Sequence, residues 1–234
     1  MEISTPQPIN NSLSRELRTW IHTFLLSLLI VDLWLMYQVV GEGTITLSIV
    51  STAIAATGGT LIGMSFALSG ICYYFNFLDR QIYFRKYLGV IGYFYALLYS
   101  ILLLYVDSER YLYGFFENIG TLDFILGLTV MSILTFMTAI SNSWAMKVLG
   151  HYWRMFLRFG YLAYLLLIIR AIIMESDVWY TWLLSLDGLP PVRMLLSLFA
   201  SSVIILRIIL EITKRLKPKP QDTYFQAVPK VTTL

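Results

Sequence analysis

"RKYLGVIGYFYALLYSILLLY", residues 85–105, decides the fold. Arg85 and Lys86 open it, and no charged residue follows until Asp107. A helix of about 20 residues rises about 30 Å, the depth of a bilayer's hydrocarbon core. Its apolar residues do not alternate with polar ones, so a half-buried strand is excluded. The stretch predicts a transmembrane helix whose basic start stays in the cytoplasm.

Similar runs lie on both sides of it. Six spans are expected, at 19–40, 45–75, 87–106, 121–142, 153–174 and 192–213. The fold class is therefore an all-α integral membrane protein, a six-transmembrane-helix bundle filling residues 19–213. Composition agrees, because 58% of the 234 residues are hydrophobic and only 13% are charged. The mean hydropathy is +0.71, and a soluble domain needs more polar surface than that leaves. Open sheet edges cannot persist in lipid, and without alternating segments a β-barrel is excluded. Cys72 stands alone, which rules out an intrachain disulfide or a thiolate metal cluster.

The connectors alternate in charge. Arg15 and Arg18 precede the first span, and Glu42 follows it. Arg80, Arg85 and Lys86 precede the third, and Asp107, Glu109, Glu117 and Asp123 follow it against Arg110. Lys147, Arg154 and Arg158 come next, then Glu175, Asp177 and Asp187. Lys214, Arg215, Lys217 and Lys219 open the tail. Lys and Arg cross membranes at high cost, so both termini are expected to be cytoplasmic. Residues 1–18 read as a cytoplasmic segment rather than a cleavable signal, and 214–234 as a basic, disordered tail close to anionic lipid. The location expected is the cell inner membrane or an internal energy-transducing membrane. The outer connectors 111–120 and 178–186 are aromatic-rich and predict short helices in the interface, anchored by Tyr111, Tyr113, Trp179 and Trp182.

Within the spans, Ala55, Gly59, Gly63 and Ala67 place a small residue at every fourth position, a stripe that lets another helix of the bundle approach closely. Gly89, Gly92 and Ala96 make a shorter face of the same kind. Intramembrane charge is rare and usually paired or functional. Asp32 and Arg170 are placed at similar heights and are expected to pair, unless Arg170 extends to the surface beside Glu175. Arg207 and Glu211 are four apart and are expected to pair with each other or with solvent.

Three segments carry a family resemblance. "RKYLGVIGYFYALLYSILLLY" (85–105) is similar to a basic-Leu-Gly start followed by an aromatic-rich helix. "AISNSWAMKVLGHYWRMFLRFGYLAYLLLIIRAII" (139–173) is similar to a Ser-rich turn, a Leu-Gly-x-x-Trp element and a Tyr-containing fifth helix. "ATGGT" (56–60) is similar to a Thr-Gly segment of the second helix. Together they resemble the ferric reductase-like transmembrane domain, the group of the haem membrane subunit of the bacterial methionine sulfoxide reductase system. The resemblance implies haem held between helices by histidines. At the matching positions this chain has Ala55, Tyr99, Leu157 and Arg170. Ala and Leu have no donor atom, Arg has no free lone pair, and a phenol ionises near pH 10. His22 and His151 are the two histidines, at the cytoplasmic ends of their helices, and are the residual haem candidates.

The resemblance with its ligands missing implies a haemless accessory, scaffold or assembly subunit of a larger membrane complex. Its partners would be the lipid bilayer and other membrane-protein subunits, not nucleic acid. No cofactor and no metal are expected. The alternative is an electron-transfer subunit holding haem b through unusual ligands. A transporter is a third reading, resting on Asp32 and Arg170. No catalytic constellation stands out, since clustered carboxylates, a phosphate-binding glycine loop and a nucleophile with a base are all missing from the sequence.

Overall fold

Each long apolar run ends where its chemistry changes. Helix α1 (Asn10–Glu42) stops at Gly43, whose φ of +74° is left-handed, and the Gly43 N–H donates back to Val39 O at 2.8 Å. Thr46 starts α2 (Leu47–Tyr74), its Oγ1 accepting the Ile49 N–H at 3.3 Å. After α3 (Phe84–Val106) come a π-helical turn, Glu109–Tyr113, and the one-turn helix α4 (Phe115–Asn118). Then follows α5 (Leu122–Ile140). Asn142 caps α6 (Ser143–Leu149), its Oδ1 accepting the Ala145 N–H at 2.7 Å. A 3-10 turn, Gly150–Tyr152, and α7 (Trp153–Phe156) lead to α8 (Phe159–Ser185). Pro190 and Pro191, which have no N–H to leave unpaired, precede α9 (Val192–Leu216).

This computed structural model describes residues 10–74, 84–156 and 158–216. Among them there is no strand, and α1, α2, α3, α5, α8 and α9 are long and apolar enough to cross a membrane. The bulk of the basic tail expected at 214–234, and Leu157, lie outside the described residues. Several expected boundaries differ, and α1 starts at Asn10, inside the segment expected to precede the first span. The fifth long helix begins at Phe159 rather than 153, because Gly150 (φ +48°) and the short turns around it break the chain first. Segment 178–186 is not a separate helix through 185, because α8 continues to Ser185 across a kink at Glu175 (φ −133°). The 111–120 connector does form short helical turns.

The core is built around α2. Over the apolar window of each long helix, 56% of α2 is buried against 11–28% of the others, which makes α2 the central helix. On one side Leu61 packs with Ile30, Leu88 and Ile91 of α1 and α3. On the other Ile62 and Phe66 pack with Val130, Leu134, Ala163, Tyr164, Ala200 and Val203 of α5, α8 and α9. The closest backbone approach joins α2 to α3. A Cβ at Gly58 would lie 3.1 Å from Gly92 O and Ala96 N, and one at Gly92 would lie 2.8 Å from Ile62 Cγ1. The Gly59 and Gly63 stripe faces α8 and α9 instead. A Cβ at Gly63 would collide with Tyr164 and Phe199, and the Tyr164 hydroxyl donates to Gly59 O at 2.6 Å. These stripes therefore pack inside the bundle, where lipid offers no hydrophobic drive and close van der Waals contact takes its place.

Candidate functional site

Asp123 lies in the first turn of α5 and its side chain is only 7% exposed, so its charge requires partners. It has three. Arg170 of α8 donates from Nε to Oδ1 at 2.6 Å. Arg110 donates from Nη2 to Oδ2 at 3.0 Å, and the Tyr111 hydroxyl to the same oxygen at 3.4 Å. Two guanidiniums against one carboxylate leave one positive charge on the cluster.

The connector delivers Arg110 and Tyr111. Its π-helical turn closes with the Gly114 N–H donating to Glu109 O at 2.8 Å. A Cβ on Gly114 would lie 2.7 Å from that same oxygen, so only glycine fits. The Tyr111 ring stacks on Phe124 at 5.0 Å, and Phe115 meets Phe124 edge-on at 5.8 Å. Burial first, and then the negative charge of Asp123, push the Tyr111 phenol above its ordinary pKa. It therefore stays protonated and acts as a donor to the carboxylate.

Beneath this cluster lies a trough of about 790 Å³ between α3 and α5, floored by α2 and α8. Such a volume falls in the ordinary range for ligand sites. Its two ends are defined by side chains. At one end are Tyr111, Phe115, Asp123 and Arg170, and toward the other are Thr135 and Phe136. The Tyr93 and Thr135 hydroxyls meet at 3.1 Å and tie α3 to α5 there. The walls are otherwise mostly apolar, with Ser100 and Ser132 as small polar groups.

Ala55, Tyr99 and Arg170, on three different helices, line this one trough. Haem does not fit the donors present. Ala55 has none, Tyr99 offers a phenol rather than an imidazole, and Arg170 offers only N–H groups, one already committed to Asp123. His22 is exposed on α1, and His151 falls in the 3-10 turn. Among the described residues no group of three or more His, Cys, Asp and Glu side chains could hold a metal ion.

The expected pairing of Asp32 with Arg170 is not what forms. Arg170 pairs with Asp123, while Asp32 is exposed on α1. Asp123 reads in sequence as one more acid of an outer connector, but Thr121 already has extended backbone and the helix takes Asp123 into its first turn, facing α8. Nor does Arg170 pair with Glu175, which at the kink of α8 pairs instead with Arg193 of α9 at 2.7 Å. Arg207 and Glu211 do pair, at 3.7 Å.

No protein-family model matches the chain, and no curated protein matches it.

Proposed function

We propose that this chain is a haem-free relative of the ferric reductase-like transmembrane domains, serving as an accessory or scaffold subunit within a larger membrane complex, with both termini cytoplasmic. The observation that carries the reading is Arg170. Of the four positions at which the resemblance implies a ligand, three line one trough, and the guanidinium there is locked onto Asp123 at 2.6 Å. A permanently charged ion pair takes the place of a neutral imidazole.

Asp32 supports the subunit role. It lies ten residues before the end of α1, about 15 Å along the axis, on a flank with exposed Leu25, Leu29 and Met36. A carboxylate turned toward lipid at that depth is costly, and a partner helix bringing a donor or cation removes the cost.

The test is purification from native membranes in mild detergent, with an absorption spectrum and mass spectrometry of whatever co-purifies. Stoichiometric partner chains without a Soret band are expected, and Asp32→Leu is expected to lose at least about tenfold of the partner while the chain itself stays folded. A Soret band that persists at one haem per chain would refute the haem-free reading. A chain that purifies alone from every native membrane extract would refute the subunit role.

A further inference from the structure

The polar end of the trough keeps donor groups without a protein acceptor among the described residues. Among the described residues Arg170 donates only from Nε, so its two Nη groups have no protein acceptor. Tyr99 lines the same space and makes no hydrogen bond among the described residues. The cluster keeps one uncompensated positive charge, and below it the walls turn apolar toward Thr135. From Asp123 to Thr135 the helix rises about 18 Å, close to the half-thickness of about 15 Å of one leaflet.

From this we infer that the trough binds a single anionic phospholipid, its phosphate on the Nη groups of Arg170 and one acyl chain laid between α3 and α5. A charge-assisted bond between guanidinium and phosphate is the strong form of that contact. A lipid of net charge −1 neutralises the cluster, whereas a zwitterionic one brings an extra cation to a site already positive. Exposed Leu97 and Leu104 of α3 and Leu128 and Phe136 of α5 line the trough, so a chain enters sideways from the bilayer between them. The site rests on the trough itself, independently of the family resemblance.

Native mass spectrometry of the full chain tests it, after equilibration with mixed micelles holding equal phosphatidylglycerol and phosphatidylcholine. One retained phosphatidylglycerol per chain is expected, preferred about tenfold over phosphatidylcholine. Arg170→Gln is expected to abolish the preference. Ser100→Trp, which fills the trough and leaves Arg170 in place, is expected to abolish retention of both lipids. Equal retention of the two lipids by the unaltered chain overturns the inference, as does retention that survives Ser100→Trp. Retention of a free fatty acid or a haem in place of phospholipid also overturns it. Only the haem outcome touches the haem-free reading as well, so the two failures are distinguishable.

Discussion

Removing the charge of Arg170 is the most direct test of how the site is held. In Arg170→Gln, Asp123 keeps Arg110 at 3.0 Å and Tyr111 at 3.4 Å, but its Oδ1 loses the bond of 2.6 Å. The carboxylate is 7% exposed and Arg170 15%, so water replaces little of that bond. Breaking one side of such a buried pair costs about 3–5 kcal/mol. Arg110 is 38% exposed and its pair with Asp123 is screened, so Arg110→Gln is expected to cost only about 0–1 kcal/mol. Replacing both charges, in Asp123→Leu with Arg170→Leu, removes the desolvation penalty together with the attraction and is expected to fall within about 1 kcal/mol of the parent. With Asp123→Leu and Arg170→Leu each expected to cost about 3–5 kcal/mol alone and within about 1 kcal/mol together, the double-mutant cycle predicts a coupling of at least about 5 kcal/mol, measured by reversible unfolding in mixed micelles. Additive losses from the two single changes, or equal losses from Arg110→Gln and Arg170→Gln, would refute the reasoning.

Two further outcomes follow from the backbone. Gly92→Val places a branched side chain where even a Cβ lies 2.8 Å from Ile62 Cγ1, and is expected to cost more than about 3 kcal/mol, read in the same unfolding assay. An unchanged midpoint would mean that α2 and α3 do not cross there. Gly114→Ala sets a methyl 2.7 Å from Glu109 O and is expected to open the π-helical turn, so that amide exchange at Arg110 and Tyr111 speeds up while α3 and α5 stay protected. Unaltered exchange in the connector would count against a turn that admits only glycine.

Apolar runs carry the helix count plainly in the sequence, because crossing a bilayer sets a length that a run of 18 or more residues announces. What connects helices is less legible. The small residues at Gly59 and Gly63, and at Gly92 and Ala96, could be read as close-packing faces, yet a helix face does not say which neighbour meets it. Gly58, off the four-residue stripe, turns out to lie against the backbone of α3 at Gly92 and Ala96. The same limit hid the ion pair. Asp123 stands among Asp107, Glu109 and Glu117 in a connector whose charge pattern speaks of topology, and only the direction of its helix reveals that it faces Arg170. The kink at Glu175 has no Gly or Pro beside it to mark it, so the end of the fifth run was legible and its continuation to Ser185 was not.

The central position of α2 has a consequence for biosynthesis. It leaves the ribosome second, yet its side at Ile62 and Phe66 is covered by α5, α8 and α9, which are made later. While the nascent chain is short, Gly59 and Gly63 lack the neighbours that later fill their groove. The phenol of Tyr164 reaches Gly59 only once α8 is in place, and Phe199 arrives with α9. The bundle is therefore locked from its C-terminal end, and a chain truncated before α9 keeps the α1–α2–α3 half while leaving the other half ajar.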